Sequence, residues 1–340
     1  DIIHLMALFS RELGIDLGTM NSVIVEGSQV IVMEPTVAAI VMEDARKMVE
    51  WGQAARDMLG RVSETIEIVR PLQNGVIAEY SVTEGILKEM IKKAGATSFL
   101  GSTKIIITTP FGITSVERRA VEAVALSSSR EVYLISQPVA AALGVDLPIG
   151  TPSGNMLICL GGGTHQVAVL AMWDIVTANT SKTGGLSFDE AIITHIRKKF
   201  GVIVGQPTAE KIKINIGSAI RVNENKNLEI QAQDQVTGLP KPISVTTDDV
   251  VDALDQPLND LVNLVRNTLE KTPPELISDI IDRGVALCGG GALLSGIDKY
   301  LTKALGIPAY LVDNPMTCTA EGASRAFSKT NVIKRSLVRL

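Results

Sequence analysis

Leu157 to Gln166 reads LICLGGGTHQ, and Gly14 to Ser22 reads GIDLGTMNS. In each, short apolar residues run into glycine and then threonine, the pattern of a strand entering a tight turn. Glycine lets backbone N–H groups approach an anion closely, and a hydroxyl adds a donor. Two such turns point to a duplicated phosphate clamp. Gly18, Thr19, Met20 and Asn21 form one copy; Gly161, Gly162, Gly163 and Thr164 form the other. The copies differ at one place, where Asp16 is matched by Cys159. A carboxylate at Asp16 could hold the hydration shell of Mg²⁺ beside phosphates. A third turn, Gly289, Gly290 and Gly291, follows the apolar run Val285–Cys288. Exposed amides at a helix start there suit a phosphate or a flat base. Neither the dinucleotide fingerprint GxGxxG with its downstream acid nor GxxxxGK[ST] is present, which disfavours a dinucleotide fold and excludes a P-loop enzyme. His165 directly follows the second turn; a lone histidine is read first as a packing or surface residue and only then as a catalyst.

Working outward, 340 residues is too long for one small core and implies two lobes or more. With 46% hydrophobic and 20% charged residues the chain is globular rather than disordered. A net charge of −5 and only 4% aromatics argue against a nucleic-acid partner. Cys159, Cys288 and Cys318 lie far apart with no CxxC spacing, so buried thiols fit better than a disulfide framework or a zinc site. The leading apolar run is too short to span a bilayer and lacks the basic start of a secretion signal. These features predict a cytoplasmic protein.

Strand-like and helix-like segments alternate, which predicts an α/β fold. Lys104 to Val145 reads strand, helix, strand, helix, the grammar of a parallel sheet. Within it, Ser115–Leu126 is a helix with Ser115 as its cap before Glu117. Asp249–Lys271 reads as a long helix that Pro257 should bend or end. The last ten residues, NVIKRSLVRL, combine Lys334, Arg335 and Arg339 with apolar neighbours. That tail is either a disordered terminus or a basic apolar segment attracted to anionic lipid.

Taken in order, these stretches resemble the actin, hexokinase and Hsp70 superfamily and, within it, the bacterial actin MreB family. The matching motifs are GIDLGTMNS, EPTVAAI (Glu34–Ile40), MLGR (Met58–Arg61), RPLQNGVIAEYSVTE (Arg70–Glu84), VERRAV (Val116–Val121), REVYLISQPVAAALG (Arg130–Gly144), GGGTHQVAVL, AEKIKINIGSA (Ala209–Ala219) and CGGGALLSGID (Cys288–Asp298). They span nearly the whole chain. The resemblance implies a duplicated actin-like fold, two lobes each with a central mixed sheet flanked by helices and a nucleotide cleft between. It divides the chain into a first core (1–38, 72–150 and 320–340) with a small subdomain (39–71), and a second core (151–186 and 251–319) with its own (187–250). It implies ATP or GTP with Mg²⁺ in the cleft. Asp16, Gly18, Thr19 and Asn21 would be the first clamp and Gly161 to Thr164 the second. Gly184 and Gly185 would border the phosphates, Glu210 and Lys213 would reach the ribose, and Gly289 to Gly291 would line the adenosine pocket. It further implies protofilaments of the chain with itself, often paired antiparallel, and paralogues of the same family as partners. The filaments would sit on the inner membrane face and govern cell shape or movement. A hydrophobic loop at Phe99 and Leu100 would touch the bilayer.

The sequence departs from that family twice. Cys159 stands where the family's second turn begins with Asp, and a neutral thiol cannot replace a carboxylate around Mg²⁺. Ser136-Gln137-Pro138 stands where the family has Glu-Glu-Pro. The glutamate before proline would polarise the attacking water, whereas Gln137 can orient water but not accept its proton. Thr164, the other water-facing residue, is kept. The expectation is nucleotide binding with weak or slow hydrolysis. Two rivals stand beside it: a non-hydrolysing scaffold that copolymerises with active relatives, and a phosphotransferase on the same fold.

Overall fold

A computed structural model describes residues 11–42, 46–96 and 103–340. Phe99 and Leu100 lie outside the described residues, so the membrane-loop expectation is not addressed by the fold. Leu13 and Ile15 in Arg11–Leu17, and Ile105 and Ile107 in Thr103–Thr109, are fully buried on one face. Such buried apolar strands mark the centre of a sheet covered on both faces.

Two sheets share one plan. In the first, Gln29–Pro35, Asn21–Glu26 and Arg11–Leu17 form an antiparallel meander, and Thr103–Thr109 and then Glu131–Ser136 continue in parallel. In the second, Asp174–Ser181, His165–Ala171 and Asn155–Leu160 form the meander, and Val285–Cys288 and Ala309–Leu311 continue in parallel. The glycine turns therefore occupy the same corner of each sheet. Two small sheets flank this pair. Ala38–Val41 lies between Lys47–Trp51 and Ile66–Val69, and Asn227–Asp234 lies between Val202–Ile203 and Pro240–Thr246.

The parallel strands of each sheet feed one helix into the junction, Gln137–Gly144 from the first and Cys318–Arg325 from the second. They cross at glycine. A Cβ on Gly322 would lie 1.6 Å from the Ala140 carbonyl oxygen, and one on Gly144 would lie 1.8 Å from that of Cys318. Only hydrogen fits there, so the two backbones touch directly. A buried apolar cluster around this crossing takes Ile106 and Ile135 from one sheet and Leu157 and Ala286 from the other.

Three sequence expectations need correction. Helix Ser115–Leu126 is capped by Thr114, not Ser115: Glu117 N–H donates to Thr114 Oγ1 at 3.2 Å and Thr114 N–H to the Glu117 carboxylate at 2.8 Å. Helix Thr247–Leu269 continues past Pro257 rather than ending there. The buried stripe of Val250, Leu254, Leu258, Leu261 and Val265 explains this. Each side chain contributes roughly 1.5–3 kcal/mol of burial, together more than the ~3 kcal/mol that an internal proline costs. The C-terminal tail is not a free terminus. Leu337–Arg339 pairs antiparallel with Glu131–Ser136, and Ile333 is fully buried. The pairing overturns the disordered terminus, while Val332 and Val338 stay exposed beside Lys334 and Arg335. No helix among the described residues is long and apolar enough to cross a membrane.

Candidate functional site

Each turn is closed by its own backbone. Gly18 N–H donates to Asn21 O at 3.1 Å, and Gly161 N–H to Thr164 O at 2.9 Å. The first two turns face each other at contact distance. A Cβ on Gly163 would sit 2.3 Å from Thr19 Oγ1, and one on Gly162 2.2 Å from Met20 Cγ. The third turn packs on the second: Gly289 has φ +84°, and a Cβ there would sit 2.4 Å from Leu160 O. All three turns line one cavity of about 740 Å³. That volume is in the range of nucleotide-sized ligand pockets.

Asp16 sits on the cavity wall, partly buried. Burial pushes its carboxyl above the usual range, while hydrogen bonds from Thr108 and Gln137 pull it back. Thr108 Oγ1 and Gln137 Nε2 both donate to Asp16 Oδ1, the latter at 3.0 Å. Gln137 Oε1 accepts from Gln166 Nε2, and Gln166 Oε1 accepts the Phe111 N–H at 2.8 Å. Gln166 also approaches Thr164 Oγ1 at 3.5 Å. Gln137 and Thr164, the two expected water-facing residues, thus belong to one amide-and-hydroxyl chain. Gln137 is held at both ends of its amide, with one N–H and one lone pair in reserve.

At the other end of the cavity, Lys213 Nζ pairs with buried Asp189 at 2.7 Å and donates to Gly185 O at 2.9 Å. Gln206 Nε2 donates to the other Asp189 oxygen at 2.9 Å. Glu210 Oε2 pairs with Arg56 at 2.8 Å, and Arg70 donates to Gln206 at 3.3 Å. These contacts link the Gly52–Asp57 helix region to helix Gln206–Ile216 across the mouth of the cleft. Glu210 and Lys213 line the cavity, but each already has a partner. Gly184 does not line it. It caps helix Gly185–Phe200, whose Gly185 and Leu186 N–H groups donate to Gly161 O and Gly162 O at 2.9 Å.

The MreB/Mbl protein family matches residues 10–335 of the chain. The chain belongs to this family. The cell shape-determining protein MreB of Pasteurella multocida is 43% identical over 327 residues, covering 94% of this chain and 93% of that one. The Mbl protein of Bacillus cereus is 43% identical over 317 residues, covering 93% and 95%. MreB5 of Spiroplasma citri bound to AMPPNP superposes with a TM-score of 0.89 at 33% identity, covering 96% and 97%. The fold is therefore actin-like.

Against that MreB/Mbl background, several neighbours of the site were given no role by the motifs. Gln166, Thr108 and Asp189 join it through long-range hydrogen bonds and ion pairs. Gly75, with φ +78°, brings its N–H to Thr19 Oγ1 at 3.2 Å and sits against Thr164. The signal for Gly75 was present as the Asn74-Gly75 turn pair in the RPLQNG stretch. His165 is buried edge-on to Phe188 with ring centroids 5.5 Å apart, and is absent from the cavity wall. Burial lowers its pKa to about 4, so it stays neutral. The three cysteines, far apart in sequence, are all buried, and Cys159 Sγ lies 3.3 Å from Cys288 Sγ.

Proposed function

We propose that this chain is an MreB-type filament protein that binds ATP or GTP in the cleft and hydrolyses it weakly. The observation that carries the reading is the polar chain Thr108–Asp16–Gln137–Gln166 along a cavity walled by three glycine turns. Asp16 is the carboxylate of that chain; its other members are neutral. Asp189 and Glu210 are neutralised by Lys213 and Arg56. Spiroplasma citri MreB5, solved with AMPPNP and with ADP, supports the nucleotide assignment. In this reading residues 1–38, 72–150 and 320–340 form one jaw and 151–186 with 251–319 the other. The segments 39–71 and 187–250 are the tips.

Mg²⁺ fits Asp16. Both internal hydrogen bonds land on Oδ1, which leaves Oδ2 for a water of the ion. No group of three or more His, Cys, Asp or Glu among the described residues could hold a metal alone, so phosphate oxygens and water would supply most ligands. When bound, Mg²⁺ would neutralise phosphate charge. The glycine turns would donate N–H groups to the phosphates, and Thr164 and Gln137 would orient a water. Without a carboxylate at 137 or 159 the water's proton has no strong acceptor, which is the reason for slow turnover. One missing interaction of this class is worth roughly 3–4 kcal/mol, or ~10²–10³ in rate.

The test is phosphate release beside equilibrium nucleotide binding. Unmodified chain should bind and barely turn over, and the double change Gln137→Glu with Cys159→Asp should raise release by ~10²-fold or more. Fast release by the unmodified chain would reject weak hydrolysis. Filament formation, single or antiparallel-paired, is read by sedimentation with ATP, with ADP and without nucleotide. Pelleting only beside a related MreB would favour the copolymerising scaffold. Attachment to the inner membrane face is read by liposome pelleting, which Phe99→Ser should weaken.

A further inference from the structure

We propose that Cys159 and Cys288 form an oxidisable dithiol at the floor of the cleft, a modification site that peroxide converts to a disulfide when the cleft is open. The two residues are register partners on neighbouring parallel strands. Such strands run ~4.8 Å apart, inside the ~4.4–6.8 Å Cα separation that a disulfide accepts. Their sulfurs are already 3.3 Å apart, so closure needs only a small approach of the two strands. Both side chains point into the apolar cluster between the lobes.

The two thiols are placed unequally, which assigns their roles. Cys159 lines the cavity and keeps 7% of its surface, whereas Cys288 is fully enclosed. The adjacent thiols of Cys159 and Cys318, together with burial, hold the Cys288 thiol well above its ordinary range. Cys159 is therefore the attacking group and Cys288 the resolving one. Cys159 thiolate attacks hydrogen peroxide; the O–O bond breaks, an S–O bond forms, and hydroxide leaves to take up the proton that Cys159 released. The Cys288 sulfur then displaces the hydroxyl of the Cys159 sulfenic acid, and the Cys288 proton leaves with it as water. Two thiols lose two electrons in total, and one peroxide becomes two waters.

The consequence follows from chain direction. Cys159 is two residues before Gly161, and Cys288 directly precedes Gly289. Drawing the sulfurs to ~2.05 Å pulls on the roots of two turns that have no slack, since Leu160 O already blocks a Cβ at Gly289. The oxidised chain should bind nucleotide about tenfold more weakly. Nucleotide in the cleft should in turn cover Cys159. These two effects rest on the nucleotide assignment above; the cross-link itself does not.

The experiment treats full-length chain with equimolar hydrogen peroxide and follows intact mass and a non-reducing peptide map. The expected result is loss of two hydrogens, a Cys159–Cys288 peptide, and full reversal by dithiothreitol. A Cys288→Ser chain should stop at a Cys159 sulfenic acid that a cyclic dione traps. If that variant does not fold, the map of the unmodified chain decides alone. A disulfide to Cys318, a persistent Cys159 sulfenic acid in the unmodified chain, or untouched thiols would each overturn the proposal. Saturating nucleotide should slow cross-linking at least tenfold; equal rates in a chain that binds nucleotide would overturn entry from the cleft. A chain that binds no nucleotide would reject the proposed function, while cross-linking of the free chain would still test this inference.

Discussion

The same corner of the two sheets carries opposite chemistry. In the first sheet Asp16 precedes the glycine turn, and Thr108, one residue beyond the register pair Ile15 and Ile107, donates to its carboxylate. In the second, Cys159 holds the matching place and Cys288 is its partner on the neighbouring parallel strand. One half thus keeps a charge with a hydroxyl donor, and the other keeps two neutral sulfurs in an apolar cluster. The difference shows that the backbone of a phosphate turn does not depend on the side chain at its root. Closure comes from Gly18 with Asn21 and Gly161 with Thr164, which are alike in both halves. What changes is the charge the site can present to a cation.

The largest expected effect tests how rigidly the halves are joined. Gly322→Ala and Gly144→Ala each place a methyl inside the van der Waals radius of a backbone oxygen contributed by the opposite helix. The helices must separate, and overpacking of this kind should cost about 3 kcal/mol. Urea unfolding of both variants should show similar losses, because the crossing is nearly symmetric. A loss below ~1 kcal/mol in either would mean the crossing yields easily and the halves are joined elsewhere.

A second contrast lies across the turn. Ser22 closes the first hairpin opposite Leu17, and its hydroxyl is paired with Thr36 Oγ1 at 2.8 Å. His165 closes the second opposite Leu160, with Nε2 buried and unpartnered among the described residues. Its pKa falls from 6.5 to about 4 on folding. Between those values the unfolded chain takes up a proton that the folded chain refuses. Stability is therefore full above pH 6.5 and is lost as pH falls toward 4, by about 3 kcal/mol from this group. The check is unfolding free energy at a series of pH values. His165→Ser, which copies the first half, should lower stability at pH 7 through its cavity but flatten the acid slope by that amount. An unchanged slope would place the acid sensitivity on other groups.

How much of this was legible follows from where each contact lies in the chain. The turns could be read because glycine, threonine and a preceding apolar run are local, and because the pattern occurs twice. Thr164 and Asp16 were named from those local patterns, and Gln137 from the family resemblance. Thr108 is 92 residues from Asp16 and Cys288 is 129 from Cys159, so only the strand order brings either pair together. Asp174–Ser181 carries no strong apolar alternation and has no buried residue, which hid it as a strand. The C-terminal tail was hidden for a different reason. Nothing local in its basic and apolar mix tells that an open edge of the first sheet accepts Leu337–Arg339. Thr114 was passed over because Ser115 is an equally good cap by type, and only the reach of its hydroxyl to Glu117 N–H separates them.

The smallest effect bears most directly on the opening contrast, because it rebuilds one half inside the other. Cys159→Asp places a carboxylate beside Cys288, a poor donor in an apolar setting. Without nucleotide this should cost about 2 kcal/mol, the penalty of a buried polar group left short of donors. Adding Cys288→Thr copies Thr108 and should restore about 1.5 kcal/mol through a hydrogen bond to a charged group. Cys288→Thr alone should be destabilising, since its hydroxyl then faces a thiol. The three variants close a double-mutant cycle, read by urea unfolding. A coupling energy near zero would mean that the cleft itself solvates an acid at 159. Loss of the carboxylate would then be unrelated to its strand partner. A coupling near the expected value would mean that the donor and the acid must arrive together, so a chain holding cysteine at both positions is two coordinated changes away from the chemistry of its own first half.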